Sequence, residues 1–389
     1  MPFDQPLRCL PNPRHGTPGV VVLNAAGFRR AKAEITSWPG YAPTPLLDLP
    51  DAAHQAGVAS VHIKDESPRF GLGCFNALGG AYAVLGVVLA DLARTGSAPH
   101  ATRAELEAGR HTEAASKVTV CCATDGNHGR SVAWGARRFG AACRIFVHET
   151  VSAARADAIA AYGATIHRVP GTYDDSVRTA SAAAAAHGWL VVSDTAWPGY
   201  TEIPREVMQG YRLMADEALD QIPHPPTHIL IQAGVGGGAT AVSVQARARH
   251  HAEPTLPKPD IIVVEPDRAA CLLASAAAGA PTPASGPLDT IMAGLACGEP
   301  SLLAWQELDR AAAAFLAIPD EAAIDAMRWL AARGIVSGES GAAGLAALLL
   351  AASDPAARAA LGLDAGSRIL LFSTEGATDP GLYASLVPA

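Results

Sequence analysis

No run of 18 or more consecutive apolar residues occurs in the sequence, so no segment has the composition expected of a membrane-spanning helix. The cysteines, Cys9, Cys74, Cys121, Cys122, Cys143, Cys271 and Cys297, include no C-x-x-C pair. A structural zinc site is therefore not expected, and no other metal site suggests itself. Positive charge is also scarce. The net charge of −8 argues against nucleic acid or an anionic membrane as partner, since both select basic faces. The opening residues, MPFDQPLRCLPNPRHG, lack the basic start and apolar block of a secretory signal, and the expected location is the cytoplasm. No internal repeat is present.

What remains is a globular composition, 49% apolar and 17% charged over 389 residues, long enough for two domains. Continuous apolar runs at 61–66, 118–124, 143–149, 165–169, 189–194, 228–234, 260–266 and 368–374 read as strands buried on both faces. Alanine-rich segments at 129–140, 152–162, 173–187 and 203–219 carry helical spacing between them. Such alternation predicts an α/β protein with open twisted sheets and right-handed crossovers. The polar stretch 95–117 reads as a surface insertion, partly helical and mobile. The alanine runs at 182–186 and 310–314 read as helix filler.

Ligands of open α/β sheets bind at the carboxyl ends of strands, and the strand ends here carry chemistry. One run leads into Asp125-Gly126-Asn127-His128-Gly129, and another ends at Asp194. A third opens the glycine loop Gly234-Val235-Gly236-Gly237-Gly238, and the last runs into Ser373-Thr374-Glu375-Gly376. Glycines between a strand and a helix let backbone N–H groups cradle a phosphate. The same loop also fits a loose dinucleotide fingerprint, in which Glu265 would meet a ribose, or a tight packing turn. His128 alone reads more naturally as a satisfied structural histidine than as a catalytic one.

The segment KDESPRFGLGCFNALGGAYAV (64–84) decides among these readings. It resembles the diaminopropionate ammonia-lyases, fold-type-II pyridoxal-phosphate enzymes similar to tryptophan synthase β. That family has the form K-D-E-S-x-R-F-G-L-x-x-F-K-x-L-G-G. Further similar blocks include YDDSVRTA, SDTAWPGYTEIP, IMAGLACGEPS, SGESGAAGL and STEGATD, so the resemblance runs from about residue 40 almost to the end. It implies a large domain from residues 1–80 and 196–389 and a small one from 81–195. It implies a homodimer with pyridoxal 5'-phosphate (PLP) as cofactor. The implied reaction is α,β-elimination of ammonia from 2,3-diaminopropionate, followed by hydrolysis to pyruvate. β-Elimination or β-replacement on another β-substituted amino acid is the alternative within enzymes.

By the same resemblance, Asp125 and Asp194 are catalytic carboxylates, and Gly234, Val235, Gly236, Gly237 and Gly238 hold the cofactor phosphate. Phe75 packs on the pyridine ring, and Asn127 meets the phenolic oxygen. Ser373 meets the ring nitrogen, with Thr374 as the neighbouring candidate. Cys271 and Cys297 fall on positions that can form a disulfide near the site entrance, although a cytosolic location favours reduced thiols.

One position departs from the pattern. Asn76 stands where the family has its Schiff-base lysine. Asparagine cannot form that bond and cannot act as a base near neutral pH. The cofactor is then expected to be held non-covalently, or as an adduct with an amino acid, and turnover to fall by several orders of magnitude. Three readings stay open: an inactivating change in an intact lyase, a catalytically dead binding protein, or elimination with Asp125 or Asp194 as sole base.

Overall fold

The computed structural model describes residues 3–17, 19–124 and 126–388. Among them the strands form two sheets. The larger has seven strands in the order β1-β10-β9-β8-β11-β3-β2: β1 (Arg8–Pro11), β2 (Leu46–Asp48), β3 (Ser60–Asp65), β8 (His228–Gln232), β9 (Asp260–Pro266), β10 (Ala312–Ile318) and β11 (Arg368–Ser373). Its inner strands are parallel, and only the short edges β1 and β2 pair antiparallel. The smaller sheet, β6-β5-β4-β7, is wholly parallel: β4 (Thr119–Ala123), β5 (Ala142–His148), β6 (Thr165–Val169) and β7 (Leu190–Val191). Every residue of β8 is buried, as a parallel strand covered by helices on both faces should be.

Two expectations fail here. The alanine run 310–314, read as helix filler, ends in the strand β10 (Ala312–Ile318) between β9 and β1, because its buried Phe315, Leu316 and Ile318 outweigh the weak strand preference of alanine. The run 189–194 pairs only through Leu190 and Val191. Beyond it, the carbonyl of Val192 accepts from the His128 ring and the Ser193 N–H donates to the Tyr200 hydroxyl, so the chain leaves the ladder. The polar stretch 95–117 is expected from sequence to be a partly helical surface insertion. It contains the short helices Arg103–Glu107 and Thr112–Ala115, with Arg103 paired to Glu34 and Arg138 paired to Glu107.

The segment Phe75–Thr95 is long and apolar enough by composition to cross a membrane. In this fold 61% of its apolar window is buried, where it packs on the helices Asn127–Phe139 and Glu202–Gln221. Gly210 permits the closest of these approaches. A Cβ there would run into the carbonyl oxygen of Leu78, at the end of the turn that carries Asn76.

A buried ionic cluster fixes the chain just before that turn. Arg69 donates to both carboxylate oxygens of Glu66 and of Glu217, at 2.7–2.9 Å. Lys64 Nζ meets the Thr44 carbonyl at 2.6 Å and Glu217 at 2.8 Å. Wholly buried and fully partnered, Lys64 is a structural residue of β3.

Candidate active site

The two sheets face each other across a cavity of about 840 Å³, counting its open mouth. The strand ends singled out in the sequence converge on it. From the large sheet come the glycine loop after β8 and Thr374 after β11. From the small sheet come Gly126, Asn127 and His128 after β4, and Asp194 beyond β7. Phe75 and Asn76 enter from the 3-10 turn Phe75–Leu78. Asp125 lies outside the described residues.

The glycine loop has the features of an anion cradle. Gly236 takes φ +99°, and a Cβ there would lie 2.8 Å from that of Ala304. The helix Gly237–Ala252 then begins with no side-chain cap, so its first N–H groups are open to a ligand. Phe75 lies beside this loop, its ring centroid 4.5 Å from that of Tyr211.

Asn76 is nearly buried, and its Nδ2 donates to the Tyr211 hydroxyl at 3.3 Å. Its backbone carbonyl accepts from Ser131 Oγ at 2.8 Å, which pins the turn to the helix Asn127–Phe139. Burial, then the nearby Asp194 carboxylate, push the Tyr211 hydroxyl well above its ordinary range. Tyr211 is accordingly a neutral donor at physiological pH.

Asp194 accepts from the Tyr173 hydroxyl at 3.0 Å, and its second oxygen lies 4.0 Å from His128 Nδ1. His128 Nε2 donates to the Val192 carbonyl at 2.8 Å, while Nδ1 is buried with no hydrogen-bond partner among the described residues. Of its two ring nitrogens, the described residues satisfy one. Asn127 donates to Glu375, and Glu375 also accepts from the Ser340 N–H at 3.1 Å and Thr378 Oγ1 at 3.2 Å.

One expectation, the Ser373 contact, needs correcting, and one open alternative, the dinucleotide reading with Glu265, falls. Ser373 is wholly buried, hydrogen-bonded to Ser337 Oγ at 2.8 Å, and does not line the cavity, whereas Thr374 does. β11 ends at Ser373, whose side chain turns to Ser337, and the chain beyond the strand carries Thr374 and Glu375 to the cavity. Thr374 Oγ1 accepts from Gln232 at 2.9 Å and keeps its own proton free to donate. Glu265 is unavailable to a ribose, because both its oxygens accept backbone N–H groups, from Leu272 and Leu273, at 2.7 Å. Burial holds its pKa up at about 8. No disulfide joins Cys271 and Cys297, and both sulfurs lie beside Gly234.

Tyr173, Tyr211 and Glu375 also line the cavity. Sequence reasoning assigned none of them a role. All three lay in segments already marked as family-like, Tyr211 in MQGY (208–211), but only the tertiary fold aims them at the cavity.

Residues 37–375 match the family described as pyridoxal-phosphate dependent enzyme. The diaminopropionate ammonia-lyase of Escherichia coli K12 is 40% identical over 365 residues, covering 90% of this chain and 88% of that relative. The chain belongs to the pyridoxal-phosphate-dependent enzymes, in the diaminopropionate ammonia-lyase family. The solved Escherichia coli diaminopropionate ammonia-lyase in complex with D-serine superposes with a TM-score of 0.88 at 35% identity, covering 100% of this chain and 98% of that one. The same enzyme in complex with an aminoacrylate-PLP azomethine reaction intermediate gives a TM-score of 0.87 at 36% identity, with the same coverage. The family's fold-type-II architecture is thus the architecture of this chain.

The cavity suits the non-covalent part of PLP: an open helix N-terminus for the phosphate, an aromatic ring beside it, and a free hydroxyl proton at Thr374. It does not suit the covalent part. Among the described residues no lysine lines it.

Behind the cavity, Arg155 of the small-sheet half pairs with Glu339 and approaches Asp379 at 3.9 Å. Burial, then the Glu375 carboxylate, raise the Glu339 pKa to about 7 despite Arg155. A carboxyl whose folded pKa is raised contributes stability below its unfolded pKa and loses it as pH rises through the folded one. The thermal midpoint is therefore expected to fall from about pH 5 to about pH 8, and Glu339→Gln to flatten that slope. Scanning calorimetry of both chains across this range checks it.

Proposed function

We propose that this chain carries the site of a PLP-dependent α,β-elimination of 2,3-diaminopropionate to pyruvate and ammonia, with turnover strongly depressed by Asn76. The reading rests on one observation above all: Asp194, Asn76 and the glycine loop line the same cavity. Asp125 enters it by family resemblance alone.

Bound there, PLP supplies the electron sink that makes the substrate Cα proton removable. The protein's part is positional and electrostatic. The N–H groups of Gly234 to Gly238 hold the phosphate against the helix N-terminus. The Thr374 hydroxyl donates to the ring nitrogen, a neutral contact that leaves that nitrogen unprotonated. Phe75 packs on the ring, and Asn127 serves the phenolic oxygen from beside Glu375. Asp194, oriented by Tyr173, binds the β-ammonium group and keeps it protonated, as a leaving amine requires. Asp125 removes the Cα proton. We assign the segments 1–80 and 196–389 to a large domain and 81–195 to a small one, and expect a cytoplasmic homodimer.

The test is pyruvate formation from D- and L-2,3-diaminopropionate with PLP added, for this chain and its Asn76→Lys variant, with β-chloroalanine and serine as competitors for the assignment. Turnover of the diamino acid above the others supports it. Preference for a β-hydroxy or β-chloro substrate moves the chain to another β-elimination.

The cradle gives a second expectation. Gly236→Val forces a side chain into the space of Ala304 at a backbone angle that β-branched residues rarely adopt. PLP affinity should fall by about 10-fold or more, with circular dichroism unchanged. Fluorescence titration checks it.

A further inference from the structure

The cavity has a charge problem, and it indicates which form of the cofactor the chain holds. Its lining includes the carboxylates Asp194 and Glu375, yet no lysine or arginine among the described residues. The lysines of the chain are Lys32, Lys64, Lys117 and Lys258. Lys32 is paired with Asp216, and Lys117 with Glu113 on the surface. Lys64 is locked in the Glu217 cluster, and Lys258 lines a separate surface cleft beside Arg247. None can bring an ammonium group to the site.

At the same time Asn76 presents an unused acceptor. Its Nδ2 is directed to Tyr211, and its carbonyl oxygen makes no hydrogen bond among the described residues, although the side chain lines the cavity. The aldehyde of PLP is neutral and accepts hydrogen bonds without donating any. It brings no positive charge to Asp194 and Glu375, whose hydrogen bonds come from neutral donors, and no donor to the amide oxygen. An ammonium group on the same carbon supplies both, because it carries positive charge and N–H donors.

We propose that this chain selects the amine form of the cofactor, pyridoxamine 5'-phosphate, over the aldehyde form. The phosphate sits on the glycine loop and the ammonium group lies between Asn76 and the Asp194 side of the cavity. The inference rests on the reading of the cavity as a PLP site, and it is independent of the elimination substrate. Binding is reversible and makes no covalent bond, so the ligand itself supplies the charge that a lysine would supply in the family pattern.

The experiment is isothermal titration of the full-length chain with pyridoxamine 5'-phosphate, pyridoxal 5'-phosphate and inorganic phosphate. The expected order on the native chain places the amine form about 10-fold or more tighter than the aldehyde, and both above phosphate. In Asn76→Lys the order reverses, because the aldehyde gains a covalent partner and the amine meets a like charge. In Asn76→Leu, which removes the acceptor without adding a cation, the amine preference shrinks. Equal affinity of the two forms, tighter aldehyde binding by the native chain, or an Asn76→Leu preference unchanged from native overturns the proposal. If Asn76→Lys yields no pyruvate while the native chain keeps its amine preference, the reaction assignment fails and this inference stands. Pyruvate from Asn76→Lys without that preference has the opposite meaning.

Discussion

Replacing Asn76 with lysine should raise pyruvate formation from 2,3-diaminopropionate by about 10³-fold or more, the scale on which removal of a nucleophile-base acts elsewhere. The surroundings are ready for the change. The turn carrying residue 76 is fixed through its backbone by Ser131, not through the Asn76 amide, so the new side chain does not disturb its anchor. The longer chain extends from a position that already lines the cavity. Asp194 on the cavity wall favours the ammonium form on entry, and Tyr211 is a neutral donor beside it. Steady-state kinetics with both enantiomers, followed as pyruvate and as ammonia, measure the gain. A variant that binds PLP covalently and still releases no pyruvate would remove 2,3-diaminopropionate as the substrate while leaving the cofactor site intact.

The second large effect concerns stability. Arg69→Met should destabilise the chain by about 3–5 kcal/mol, the usual cost of leaving buried charges without their partner. Glu66 and Glu217 are buried, and Arg69 supplies the bidentate contacts to both. Lys64 reaches Glu217 and leaves Glu66 with little beyond the Thr44 hydroxyl. Arg69→Lys should recover part of the loss only, since a single ammonium cannot match two carboxylates in fork geometry. The cluster also holds the chain leading to Phe75 and Asn76, so the loss extends to cofactor binding. Urea unfolding and PLP titration of the same variants measure the two effects. A loss of affinity without a loss of stability would mean the cluster does not support the site in this way.

Much of the fold was legible because parallel strands buried on both faces are continuous apolar runs. TIHRV and DIIVVEP became β6 and β9 with the boundaries expected, and the helix Tyr173–His187 matched its segment. The strand β10 was hidden because alanine carries little local preference for a sheet, and its place was decided by the neighbours β9 and β1. The edges β1 and β2 are too short, at RCLP and LLD, to show a period. Within the site, the glycine loop and the turn at Phe75–Asn76 are local in sequence and could be read from it. The exchange of Ser373 for Thr374 at the cavity wall depends on where β11 ends and the chain turns into the site. Tyr173 beside Asp194, Tyr211 beside Asn76 and Glu375 beside Asn127 are meetings of distant segments, which no local pattern encodes.

The central claim is that a PLP site of the ammonia-lyase family is present here without its covalent anchor. Borohydride reduction after loading with PLP, followed by intact-mass measurement, tests it most directly. The native chain is predicted to gain no stoichiometric pyridoxyl group, and Asn76→Lys to gain one at position 76. A stoichiometric adduct on the native chain, at Lys64 or any other lysine, would contradict the account.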